Sequence, residues 1–156
     1  MAPNPEIFRT IDHVGIAVRD LDVAIAWYHD TFGMAVVHEE RNDDQGVREA
    51  MIRVAGDDTG PLLQLLAPLT DDSPLARFLE KSGPGIQQLA YRVDNVEAAA
   101  GQLRQRGLRV LYDTARTGTG GSLVNFVHPK DAGGVLVELV QHPDTVEEPK
   151  PAGRVT

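Results

Sequence analysis

Two polar side chains open apolar runs, and two more interrupt apolar runs further along the chain. Residues 11–18 read IDHVGIAV and residues 86–93 read IQQLAYRV, with His13 and Gln88 at matching places. Residues 62–66 read LLQLL and residues 136–140 read LVELV, with Gln64 and Glu138 at matching places. The first pair is 75 positions apart and the second 74. Each of these side chains offers a donor atom to a metal: an imidazole nitrogen, an amide oxygen or a carboxylate. An ionised Glu138 between Leu136 and Val140 is costly to bury unless it is paired or holds a cation. Taken singly, a strand-embedded His or Gln is more often a satisfied core group. Matched placement in two copies of one module joins them into a single site.

One imidazole, two amide oxygens and one carboxylate suit a divalent ion such as Co²⁺, Mn²⁺, Ni²⁺ or Zn²⁺. One carboxylate against such an ion leaves a formal charge of about +1, enough to favour an anionic intermediate. Glu49 opens the run EAMIRV after a turn containing Gly46 and is the candidate general base. The nearby Glu39, Glu40, Asp43 and Asp44 read as solvated acids. Two carboxylates on opposite sides of one carbon can remove a proton from one face and return it to the other.

These residues need strands to carry them. Residues 11–18 form the first. A helix over 23–31 follows, capped by Asp20 or Asp22 and stopped by Gly33. Strands over 35–40, 49–54 and 62–67 complete a β-α-β-β-β module at residues 11–70. Ser73 and Pro74 open a short helix in a linker over 71–85. The second module, 86–141, repeats the order. It has a strand over 87–93, a helix over 96–106 capped by Asp94, a short strand over 109–112, and strands over 123–128 and 135–140. The expected fold is α+β: two tandem βαβββ modules forming one eight-stranded, cup-shaped mixed sheet around a metal site. Residues 1–10 read as an N-terminal tail, and residues 142–156 as a disordered C-terminal tail with several prolines.

The chain has 156 residues, 42% hydrophobic content and a net charge of −8. That charge argues against a nucleic-acid partner. The absence of cysteine excludes disulfides and thiolate chemistry and suits a reducing cytoplasm. No apolar run approaches membrane-spanning length.

The segments IDHVGIAVRDL, NDDQGVREAM, QLLAP, GPGIQQLAYRV, VLYD and NFVHPKDAGGVLVELV resemble the vicinal-oxygen-chelate superfamily of paired βαβββ modules (glyoxalase, bleomycin-resistance and dioxygenase proteins). Within it they are similar to the methylmalonyl-CoA epimerase group, and the resemblance covers residues 10–141. It implies metal-dependent epimerisation of (2R)- and (2S)-methylmalonyl-CoA in propionyl-CoA and methylmalonyl-CoA metabolism. Proton transfer at C2 would pass through a metal-stabilised enolate. The implied metal ligands are His13, Gln64, Gln88 and Glu138, with Co²⁺ the first expectation. The implied acid/base pair is Glu49 and Glu138. At position 88 the group commonly has His, so Gln88 bears on metal affinity and metal choice. The resemblance also favours a homodimer.

Contacts to the CoA part are less specified. Arg116 and Lys130 are candidate cations, Ser122 ends a Gly-rich loop, and His128 sits in FVHPKD. His29 and His142 read as surface residues. A glyoxalase-type isomerase would use the same metal and Glu138 on a glutathione hemithioacetal. A non-catalytic ligand-binding module would need neither metal nor Glu49. An extradiol dioxygenase is disfavoured, since its facial triad takes two His and one carboxylate.

Overall fold

The computed structural model describes residues 7–143. Strands β1 (Phe8–Ala17), β2 (Met34–Asn42), β3 (Val47–Val54), β4 (Leu62–Pro68), β5 (Gly85–Val93), β6 (Arg116–Thr117), β7 (Leu123–Val127) and β8 (Leu136–Gln141) form one sheet. Its order is β2-β3-β4-β1-β5-β8-β7-β6. β1 pairs with β4 and β5 with β8 in parallel, and all other neighbours are antiparallel. Each half therefore has the same strand order, read outward from the central β1–β5 pair. The sheet is mixed and curls into a half-barrel, as expected from the doubled pattern.

Strand side chains alternate between faces, which separates two kinds of core. On the outer face α1 (Leu21–Phe32) and α3 (Val96–Gln105) cover the sheet. Leu21 packs with Ala50, Ile52 and Leu65, while Val96, Ala99 and Ala100 pack with Val93 and Leu139. Each of the buried Leu, Ile and Val side chains contributes about 1.5–3 kcal/mol through removal of apolar surface from water. On the inner face Leu75 and Leu79 of α2 (Pro74–Ser82) close one end of the cup against Ala17, Val47 and Leu66.

The helix starts follow capping chemistry. Asp20 accepts from Val23 N (3.0 Å) and Ser73 from Ala76 N (3.1 Å). At α3 the cap is Asn95, not Asp94: Asn95 Oδ1 accepts from Ala98 N at 2.9 Å. Asp94 instead pairs with Arg9 through the guanidinium Nε at 2.8 Å.

The strand expected over 109–112 is reduced to one bridge on β7, flanked by backbone bonds from His128 N to Arg109 O (2.9 Å) and from Leu111 N to Phe126 O (2.8 Å). Val110 makes an isolated bridge to Val127. The Asn125 amide then takes over the Tyr112 backbone, accepting from its N–H (3.1 Å) and donating to its carbonyl (2.9 Å). A side chain thus replaces the next ladder partner, and the outermost strand is β6, four residues further on. The N-terminal boundary also moves: β1 starts at Phe8, which pairs with Val93, so residues 8–10 belong to the sheet. Residues 1–6, and residues 144–156 of the expected C-terminal tail, lie outside the described residues. Among the described residues no helix is long and apolar enough to cross a membrane.

Candidate active site

The inner face of the four central strands carries the polar cluster. Gln64 on β4 and Gln88 on β5 both lie opposite Gly15 on β1. A Cβ at Gly15 would overlap Gln88 Cγ, so the missing side chain is what lets the two amides meet across the strand. Gln88 Nε2 donates to Gln64 Oε1 at 2.7 Å. In the adjacent row Ala90 separates His13 from Glu138. This small residue, at the position matching Gly15, lets His13 Nε2 reach Glu138 Oε2 at 3.1 Å. Gln88 Nε2 also donates to Glu138 Oε2 at 2.9 Å. All four expected ligand residues are buried and meet in one cluster.

Glu49 joins the same cluster from β3. Gln64 Nε2 donates to Glu49 Oε2 at 2.8 Å and to Thr119 Oγ1 at 3.2 Å. Thr119 Oγ1 in turn donates to Glu49 Oε1. The two buried carboxylates thus stand at opposite ends of a bridge made by Gln64 and Gln88. The Glu40 carboxylate, whose charge acts on Glu49, accepts from His38 Nε2 at 2.8 Å.

Burial pushes the Glu49 carboxyl up to about 7; the Thr119 hydrogen bond opposes this, and the charge of Glu40 adds to it. Burial alone would lower His13, but hydrogen bonds to Asp12 and Glu138, with their charges, raise it to about 9. Asp12 is held far below the carboxylate range: burial opposes this, and hydrogen bonds from His13 and His142 overcome it.

The donor set fits a divalent cation. A nitrogen, a carboxylate and two amides converge on one another, and Asp12 and Glu138 place two carboxylates around a single imidazole. Such a cluster favours an added positive charge, which the His13 proton supplies in its metal-free form. Either Gln amide presents its oxygen after a half-turn about its terminal bond.

Two cavities flank the cluster. One of about 820 Å³ touches Gln88 and is lined by Tyr112, Arg116, Phe126 and Leu136 among others. The other, about 150 Å³, is lined by His13, Glu138, Thr119 and Ser122 among others. Arg116 stacks over the Tyr112 ring at 3.8 Å. Ser122 is buried where the loop over 118–122 rejoins β7. His128 and Lys130 line neither cavity. His128 caps a 3₁₀ turn, its Nδ1 accepting from Lys130 N at 3.1 Å.

His142, read from the sequence as a surface residue, is half-buried and tied to the site. Its Nε2 donates to Asp12 Oδ1 at 2.5 Å, and Asp12 Oδ2 accepts from His13 Nδ1 at 2.7 Å. Thr119 and Asp12 were also missed. Both depend on backbone irregularities that periodicity does not report.

A half-barrel of paired βαβββ modules with a polar cluster at its centre defines a class. The family model for the glyoxalase/bleomycin resistance protein/dioxygenase superfamily matches residues 12–126, and the chain belongs to that superfamily. Within it the chain belongs to the methylmalonyl-CoA epimerase family. It is 40% identical to an ethylmalonyl-CoA/methylmalonyl-CoA epimerase of Cereibacter sphaeroides, over 84% of this chain and 96% of that one. It is similar to the crystal structure of methylmalonyl-CoA epimerase from Mycobacterium tuberculosis, with a TM-score of 0.83 and 56% identity over 92% and 95% of the two chains. It also matches a methylmalonyl-CoA epimerase in complex with methylmalonyl-CoA and NH4+, with a TM-score of 0.84 and 44% identity over 91% and 99%.

Proposed function

We infer that the protein interconverts the two C2 epimers of methylmalonyl-CoA. The observation that carries this reading is the pair of buried carboxylates, Glu49 and Glu138, at the two ends of the Gln64–Gln88 bridge. Epimerisation needs one group on each side of the reacting carbon. The substrate of related enzymes contains such a carbon, between a thioester and a carboxylate, and the large cavity leading to Gln88 suits the body of an acyl-CoA.

Glu49 accepts the C2 proton from one face. Its raised pKa of about 7 places it near neutral pH, where a general base works best. Thr119 and Gln64 hold both of its oxygens, which fixes its direction. Glu138 delivers a proton to the opposite face. Its Oε2 takes the contacts from His13 and Gln88, which leaves Oε1 for the transfer. The roles reverse for the other epimer.

Enzymes of this superfamily typically use a divalent metal. In this chain His13, Gln64, Gln88 and Glu138 would hold it, with Co²⁺ the first expectation and Mn²⁺, Ni²⁺ and Zn²⁺ the alternatives. Bound there, the ion would supply positive charge that favours the anion formed when C2 loses its proton. Gln88 in place of a second imidazole makes the set harder and weaker for Zn²⁺. Arg116 and Ser122 are the substrate contacts best supported by their cavity positions. A cytoplasmic homodimer completes the reading, supported by the cysteine-free composition and by β2, a sheet edge that a second copy would cover.

The test is incubation of metal-reconstituted protein with one epimer of methylmalonyl-CoA in deuterated water. Label should appear at C2 together with the other epimer. No exchange above the metal-free control would sink the reading. A glutathione hemithioacetal serves as the control for a glyoxalase-type isomerase.

A further inference from the structure

We propose that Asp12 and His142 form a clamp that orients His13 for the metal ion, an inference that rests on the metal reading above. A metal-binding imidazole needs one nitrogen free of a proton, and the hydrogen bond at the other nitrogen decides which. His13 Nδ1 donates to Asp12 Oδ2 at 2.7 Å. That contact leaves Nε2 for the ion, and Nε2 is the nitrogen beside Glu138.

A local irregularity of β1 places Asp12 there. Ile11 pairs with Tyr91 and His13 with Ala90, so Asp12 is an extra residue with no partner position on β5. A bulge of this kind re-aims a side chain. In a regular strand Asp12 and His13 would point to opposite faces; here both line the small cavity, and so does His142. His142 follows directly after β8, on the far side of β5 from β1. Its Nε2 donates to Asp12 Oδ1 at 2.5 Å, so each oxygen of the Asp12 carboxylate has an imidazole partner and its rotation is fixed.

The other half of the molecule keeps the bulge, since Gly15 pairs with Gln88 and Ile16 with Ile86, but not the side chains of the clamp. By the spacing of the repeat, the position matching Asp12 is Gln87, which lines the large cavity. The position matching His142 is Pro68. The ligand in that half is an amide, which has no tautomer to set. The clamp stands behind the imidazole of the cluster and not behind its amide counterpart.

The test is the Zn²⁺ dissociation constant of the full chain, measured by competition with a chelator. Wild type is compared with His13→Ala, His142→Ala, His142→Gln and Asp12→Asn. His142→Ala should weaken Zn²⁺ binding about ten-fold. Asp12→Asn should weaken it at least as much. His142→Gln should recover most of the loss, because its amide N–H can still donate to Asp12. Wild-type affinity in His142→Ala overturns the clamp, as does a His142→Gln variant no better than His142→Ala. If His13→Ala itself leaves Zn²⁺ affinity unchanged, the metal reading fails and the clamp with it. If His13→Ala loses Zn²⁺ while His142→Ala keeps it, the clamp alone fails.

Discussion

The two halves of the sheet share a strand order but differ in their outer walls. The first half ends in β2, nine residues long and paired with β3 over most of its length. The second ends in β6, two residues long. Where strand is given up, the loop over 118–122 crosses the open side of the cup and touches the first half. Gly120 N donates to Glu40 and Thr119 Oγ1 to Glu49. The inner faces differ as well. Glu49 lies opposite Leu66, and at the matching place in the other half Val124 lies opposite Val140. Duplication supplied the paired polar positions, and divergence supplied the buried Glu49 carboxylate and the loop that holds it.

The largest test of that asymmetry is at Glu49. Glu49→Gln should lower the epimerisation rate by about 10²–10⁴ with metal content unchanged. Val124→Ala, its counterpart, should cost about 2 kcal/mol of stability and leave the chemistry intact. Loss of metal from Glu49→Gln would place Glu49 among the ligands instead.

The same residue should also show a stability cost. In the metal-free protein the Glu49 pKa is raised from the usual 4.5 to about 7, so the fold disfavours its charged form. The penalty is absent below pH 4.5, grows as pH rises to about 7, and is full above that. Glu49→Gln should therefore be more stable than wild type at pH 8, by up to about 3 kcal/mol in urea denaturation, and equal to it at pH 4. An equal gain at both pH values would exclude the carboxylate charge as its cause.

Gly15 and Ala90 test the matched small positions. Gly15→Ala pushes on Gln88 and should weaken divalent-metal retention by about ten-fold, or 1.4 kcal/mol. Ala90→Gly opens space and should cost only about 0.5–1 kcal/mol of stability. Gln88→His, which makes the strand-opening pair alike, should tighten Zn²⁺ retention on dialysis by a similar ten-fold factor. Unchanged retention would remove Gln88 from the ligand set.

Much of the candidate site was legible because its residues lie on regular strands. His13, Gln64, Gln88 and Glu138 break apolar runs at a fixed spacing, and a period-2 pattern then puts them on one face. The parts that were missed belong to local irregularities. Asp12 reaches the site through a bulge. Thr119 reaches it through a loop shaped by the Gly118 N to Ser122 O bond at 2.8 Å. The strand expected over 109–112 shrinks to a bridge at Val110, and at Tyr112 the Asn125 amide takes the backbone instead. Capping chemistry reads alike at Asp94 and Asn95, and it is the pairing of Asp94 with Arg9, 85 residues away, that distinguishes them. Such features depend on distant partners rather than on local pattern.

The central claim is that Glu49 and Glu138 serve opposite faces of one carbon. Glu49→Gln, loaded with metal, can be given each epimer of methylmalonyl-CoA separately in deuterated water, with C2 exchange followed by mass spectrometry. Exchange should persist for the epimer whose C2 proton faces Glu138 and be lost for the other, with no epimerisation of either. Equal exchange, or equal loss of exchange, in both epimers would contradict a two-sided site.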